Sequence, residues 1–403
     1  MTQQLKRFID NNLLKYSEFW IVILIFFISF LVRLFRLGYH DFWYDEADID
    51  ISARWINAYW NAPLHKMLML PWVRIFGTSE FSLRFPSLLF SFFTVVLLFF
   101  LGRRFFNKKI GLIASFIMGL CPFHIWYAQE ARDYSMVLFF GTLSSYLLIK
   151  AVKEEKFKLW VFFVLISIIG TYTSYFYFLL FLGQALYIIF HRRFGLRFKE
   201  IICFMAVIAA FLPWLPRFLK KFCYLQQGFW IPKPTWQSLI ITLENFILGY
   251  NGSMALYLIS VIISGILFIS AIWALRQTQE LRQSFMFCVI LLFFPIILAF
   301  IFSKTLFSVY LDRGLIIFSP YYYLILSLGI LSLNRTLRVI LFAMLTSILL
   351  IGDYRYFNDL MIKPLVHRMG TYIKKPIKPI VRFLEDNVET KGDILAFTHE
   401  ATT

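Results

Sequence analysis

The chain has 403 residues, 60% hydrophobic and 16% charged, with a mean hydropathy of +0.71. An average soluble domain is about 25% charged, so a soluble globular enzyme, a disordered chain and a fibrous repeat are all excluded. Its 40 basic against 23 acidic residues, formally +17, would point to nucleic acid in a soluble protein. In so apolar a chain they read instead as cytoplasmic-loop residues, and no nucleic-acid partner is expected.

Unbroken apolar runs such as 19–32 and 88–101 favour helices over barrel strands, which alternate apolar and polar residues. The expected class is therefore an all-α polytopic membrane protein. With about 20 residues per span, eleven spans are expected, near residues 19–37, 85–101, 110–127, 134–150, 159–175, 176–190, 200–216, 254–275, 284–303, 314–333 and 337–352. The first run continues into Arg33 and Arg36 without a small-residue cleavage site, which reads as a span and not a cleavable signal. Cys121, Cys203, Cys223 and Cys288 show no CxxC spacing, so neither a disulfide framework nor a zinc site is inferred.

Basic residues collect in the short segments on one side of these spans: Lys6, Arg7 and Lys15, then Arg103, Arg104, Lys108 and Lys109. Lys150, Lys153, Lys156 and Lys158 follow, then Arg192, Arg193, Arg197 and Lys199, Arg276 and Arg282, Arg335 and Arg338. That side is expected to be cytoplasmic. The N-terminus is then inside and the C-terminus outside, in a multi-pass protein of the inner (plasma) membrane. Two longer loops, 38–84 and about 217–253, face outward. In the first, residues 45–60 carry apolar positions at helical spacing, and 63–76 is apolar but short, with Lys66 and Arg74 inside it. Both read as helices lying at the outer surface. Residues 1–352 form the membrane module. Residues 353–403 read as a polar outer tail in which a helix, turn and strand pattern begins and then stops, as in a truncated αβ domain.

No Walker A run, GxGxxG, HExxH or Cys/His cluster occurs, so nucleotide-driven pumping is unsupported. The outstanding feature is Asp41-Phe42-Trp43-Tyr44-Asp45-Glu46-Ala47-Asp48-Ile49-Asp50. Carboxylates crowded near a low-dielectric boundary raise one another's pKa and can serve as general bases. Asp48 and Asp50 read as helix-capping charges; Asp45 and Glu46 read as functional. A second motif, Gln129-Glu130-Ala131-Arg132-Asp133-Tyr134, crowds ionisable groups into one outer turn, either as a functional cluster or as a local Glu–Arg pair holding the turn. Lys66, Arg84, Arg132 and Arg313 are isolated outward cations, suited to a lipid phosphate or to interfacial anchoring. Asp312-Arg313-Gly314 opens the tenth span.

These motifs, taken in order, resemble the GT-C membrane glycosyltransferases of the protein O-mannosyltransferase and aminoarabinose-transferase superfamily, most of all the bacterial family 39-type members. The resemblance runs over roughly residues 20–400. It rests on Arg33-Leu34-Phe35-Arg36-Leu37, Trp43-Tyr44-Asp45-Glu46-Ala47, Leu83-Arg84-Phe85-Pro86-Ser87, Gln129-Glu130-Ala131-Arg132-Asp133-Tyr134, Tyr172-Thr173-Ser174-Tyr175-Phe176 and Leu212-Pro213-Trp214-Leu215-Pro216. It implies a GT-C fold and an inverting transferase of the EC 2.4 class. Such an enzyme moves a hexose or pentose from a polyprenyl-phosphate donor to a lipid, glycan or protein acceptor outside the cytoplasm.

The same resemblance makes Asp45 the base, with Glu46 beside it and Glu130 as a second acid. Arg132, Arg313, Lys66 and Arg84 would bind the donor phosphate, and Asp133, Trp43 and Tyr134 the acceptor or sugar. No cofactor is required. The acids could hold a divalent cation, but no spacing demands a metal. The chain departs from the family in reading Asn61-Ala62-Pro63-Leu64 where members often have His or Lys before Pro-Pro-Leu, in having Ser174 where many have His, and in its short tail. A polyprenyl-lipid or sugar transporter (or flippase) and an inactive family member are the alternatives. A transporter would place its ionisable residues in mid-membrane.

Overall fold

The computed structural model describes residues 19–43, 46, 61–192, 195, 197–228, 231–250 and 252–360. The expected surface helix at 45–60 and nearly all of the tail lie outside these. Within them the chain is helical and antiparallel, and each of the eleven expected spans falls on a helix. Seven of the spanning segments are long and apolar enough to cross a membrane. An eighth is a pair bent by 63°, α4 (Lys108–Gly119) and α5 (Pro122–Ala128). The other three are the shorter apolar helices α1 (Phe19–Leu34), α7 (Phe157–Thr173) and α8 (Tyr177–His191).

The remaining elements follow the chain. α2 (Leu64–Phe76) precedes α3 (Glu80–Phe105), and α6 (Tyr134–Glu154) follows the bent pair. α9 (Phe198–Phe211) continues through a 3-10 turn into α10 (Leu215–Gln226). Then come α11 (Trp236–Leu248), α12 (Met254–Ala274) and α13 (Gln279–Thr305). The turn α14 (Asp312–Leu315) leads into α15 (Ser319–Ser332), and α16 (Arg335–Phe357) completes the described chain.

Apolar side chains alone do not bind helices to one another in lipid, so close approach and buried hydrogen bonds set the packing. α3 and α4 cross at Gly102 and Gly111, where a Cβ on Gly102 would lie 2.5 Å from the Gly111 Cα. Gln184 on α8 donates to Ser144 and Ser145 on α6, each at 2.9 Å, and Ser145 pairs with Tyr321 on α15 at 2.6 Å. Nearly every residue of α14 and α15 is buried, which makes this segment the bundle's axis. α9 and α12 instead expose Ile201, Ile202, Met205, Ile262 and Ile269, the surface expected against lipid.

Charge divides the two ends. At one end the helix connections pair Arg104 with Glu154, Arg192 with Glu200, and Lys153 with Glu280. The other end carries residues 35–43, 46 and 61–84, the turn 129–133 and α11. Two segments differ from the sequence reading there. α11 lies inside what reads as a loop; it starts at a capping box of Thr235 and Ser238 and buries Thr242, Glu244 and Asn245. α16 runs to Phe357, five residues past the expected boundary, because Asp353 and Tyr356 pack inward.

Candidate active site

The loop end is assembled around the break between α4 and α5, where Pro122 occupies the first turn of α5. Arg33 on α1 is fully buried and holds this break. It donates to the Met118 carbonyl at 3.0 Å, the Gly119 carbonyl at 2.8 Å, Ser29 Oγ at 2.8 Å and Ser91 Oγ at 2.9 Å. A cation facing the last carbonyls of a helix complements its negative end.

The turn after α5 is held from several sides. Gln129 donates to the carbonyls of Arg33 and Phe35 at 2.9 and 2.7 Å and accepts from Tyr356 on α16 at 2.8 Å. The Trp126 indole donates to Glu130 at 2.5 Å, and Ser87 donates to the Arg132 carbonyl at 3.2 Å.

Glu46 and Arg84 form a bidentate pair at 2.9 and 2.7 Å, each about 1% exposed. Arg84 also donates to the carbonyls of His40 at 2.7 Å and Asp41 at 3.1 Å, and Glu46 accepts from the Ala131 amide at 2.8 Å. The pair therefore ties the first loop to α3 and to the turn. Fork-to-fork bonding of this kind is both strong and directional.

Four further cations converge on the same place. Lys66 is buried on α2 beside His65 and Met69, and Met69 packs with Leu83 and Ala131. The Arg132 guanidinium lies 5.8 Å from the Tyr134 ring centre. Arg313 lies between two rings, 5.6 Å from Trp43 and 5.9 Å from Tyr134. Lys221 on the amphipathic α10 lies within electrostatic reach of Arg132. Arg313 is aimed by its neighbour Asp312, which accepts from Thr242 at 2.5 Å and Asn245 at 2.6 Å on α11.

Asp133 faces this cluster. Burial raises its carboxyl above the ordinary range, while Arg132, a hydrogen bond from Ser174 and Arg313 draw it back down. Ser174, the position where many members of the resembled family have His, thus bonds the acid. Tyr127 and Tyr250 share a 2.7 Å hydrogen bond and are both buried. Burial and Asp312 lift the Tyr250 phenol well above its usual value.

Among the expected site residues, the structure brings together Trp43, Lys66, Arg132, Asp133, Tyr134 and Arg313. Glu130 sits deeper, against Trp126. Glu46 and Arg84 bond each other. Asp45 lies outside the described residues. Sequence reasoning missed His65, Lys221, the Tyr127 and Tyr250 pair, and the Asp312 mount. His65 and Lys221 stood in amphipathic segments where only burial separates them from surface residues. The Thr235-to-Ser238 spacing was the one signal for the helix that carries the mount.

Residues 61–217 match the family model of dolichyl-phosphate-mannose-protein mannosyltransferase. No curated protein sequence matches the chain. Its fold is similar to that of ArnT from Cupriavidus metallidurans bound to undecaprenyl phosphate, with a TM-score of 0.57 and 13% identity over 79% of this chain and 62% of that one. It is also similar to the Archaeoglobus fulgidus oligosaccharyltransferase tethered to an acceptor peptide, with a TM-score of 0.56 and 10% identity over 93% and 58%. The archaeal oligosaccharyltransferase AglB from Archaeoglobus fulgidus, in complex with an inhibitory peptide and a dolichol-phosphate, matches at 0.50 and 12% over 93% and 58%. The chain thus spans less than two thirds of the length of these solved structures.

Proposed function

We propose that the chain is a GT-C glycosyltransferase that transfers a sugar from a polyprenyl-phosphate carrier to an acceptor hydroxyl. The observation that carries this reading is the cation cluster of Lys66, Arg132, Lys221 and Arg313, gathered with Asp133 at one end of a lipid-embedded bundle. The mounted pair of Trp43 and Tyr134 rings borders it.

The chemistry asks for little else. The donor is a phosphodiester, and breaking its anomeric C–O bond releases the polyprenyl phosphate as a weakly basic anion, which needs cationic stabilisation more than a proton. The acceptor hydroxyl needs a carboxylate to remove or hold its proton. Asp45, the sequence neighbour of the pinned Glu46, takes that role, and Asp133 is the second acid. Attack opposite the phosphate inverts the anomeric centre. Glu46 and Arg84 act as the clamp that fixes the first loop, and Glu130 holds the turn through Trp126. Aromatic faces suit the apolar side of a sugar ring, and Trp43 and Tyr134 provide them. We read the loop end as extracytoplasmic, because the opposite end carries the basic connections.

The test is transfer by the purified chain in proteoliposomes. Polyprenyl-phosphate sugars are offered as donors in parallel with nucleotide sugars, and mass spectrometry of lipid, glycan and peptide acceptors reads the product. A new glycosidic bond made only from the lipid-linked donor supports the reading. Passage of the donor across the bilayer with no bond formed would establish the transporter alternative instead.

A further inference from the structure

His65, the second residue of α2, has its side chain buried, 8% exposed. Its ring atom Nε2 has no hydrogen-bond partner among the described residues. Buried polar atoms in folded proteins are almost always paired, so an unpaired one calls for an explanation. Two explanations are available: strain tolerated for packing, or a partner that arrives with a ligand.

The surroundings decide between them. Burial, and among the described residues the charges of Arg132 and Lys66, hold its pKa down to about 3. The ring is therefore neutral. A further positive charge is excluded beside Lys66 and Arg132, yet an N–H donor is retained there. An apolar side chain would fill the same volume without the unpaired atom. Met69, one helical turn further along the same face, is such a side chain and is 1% exposed. A buried polar group kept at position 65, within electrostatic reach of two cations, fits an anion as its partner.

We propose that His65, through Nε2–H, donates a hydrogen bond to a phosphate oxygen of the lipid carrier seated between Lys66 and Arg132. This rests on the reading of the loop end as a polyprenyl-phosphate site and adds a positioning residue to it. A neutral donor contributes directionality that Lys66 lacks, since a lysine acts as a point charge. It also fixes which phosphate oxygen faces α2 and, with it, which oxygen bears the sugar. The Nε2–H tautomer follows from the need for a donor.

The experiment uses the full chain in nanodiscs, titrated with undecaprenyl phosphate and, separately, with undecaprenol, the same lipid without the phosphate. His65→Phe removes the donor and keeps a ring. His65→Gln keeps an N–H near the Nε2 position. The expected result is that His65→Phe weakens undecaprenyl phosphate binding about tenfold while undecaprenol binding is unchanged, and that His65→Gln restores most of the loss. Equal phosphate affinity in the wild type and His65→Phe overturns the role of His65 and leaves the site reading standing. Equal loss toward both lipids marks His65 as structural and also overturns it. A wild type that does not distinguish the two lipids overturns the proposal and the site reading together.

Discussion

The roles proposed for the two adjacent carboxylates of the first loop are separable by substitution. Asp45→Asn is expected to cut sugar transfer by about 10²–10⁴-fold, the usual contribution of a general base, with membrane insertion and thermal stability unchanged. Arg84→Met breaks a buried bidentate pair and leaves Glu46 uncompensated, which costs about 3–5 kcal/mol. It should lower the melting temperature in detergent and the activity together. Glu244 offers a test of a different kind. It is 3% exposed on α11, and burial lifts its carboxyl from 4.5 to about 7. Because the folded value lies above the unfolded one, the stability linked to it is full below pH 4.5 and is lost as pH rises to 7. Glu244→Gln should flatten that stretch of the melting-temperature profile and stabilise the protein at pH 8 by about 3 kcal/mol. None of these distinctions was legible in the sequence. Asp45 and Glu46 share one motif there, and the bond of Glu46 to Arg84, 38 positions away, shows only in the structure.

The helices that cross the bilayer were legible almost completely, because a span must be long and apolar wherever it packs. The elements that build the site were not. α11 is 13 residues within what composition reads as a loop, and α2 declares its buried face only through its neighbours. Interhelical spacing is equally hidden, since a glycine that permits a crossing looks like any other glycine. Gly111 and Gly265 make a controlled comparison. A Cβ on Gly111 would stand 2.4 Å from the Phe99 carbonyl oxygen, whereas nothing lies within 4 Å of one on Gly265. Gly111→Ala should therefore force α3 and α4 apart and reduce the yield of folded protein in detergent. Gly265→Ala should be silent or slightly stabilising, as expected for alanine in a helix.

The whole molecule is polarised, with paired basic connections at one end and the site at the other. In a variant lacking the four cysteines, a cysteine placed at Lys233 should react with a membrane-impermeant maleimide in intact cells. One placed at Lys108 should react only after permeabilisation. The reverse pattern would turn the assigned topology over. The link between Tyr356 and Gln129 adds a temporal side to this arrangement. Helices of a membrane protein insert first and associate afterwards, and the turn that carries Glu130, Arg132 and Asp133 takes one of its fixed hydrogen bonds from α16. Chains still on the ribosome, with α16 unmade, hold the ingredients of the site without its final brace. The site is thus set to mature late, when the last described helix enters the bilayer and closes on a turn synthesised more than two hundred residues earlier.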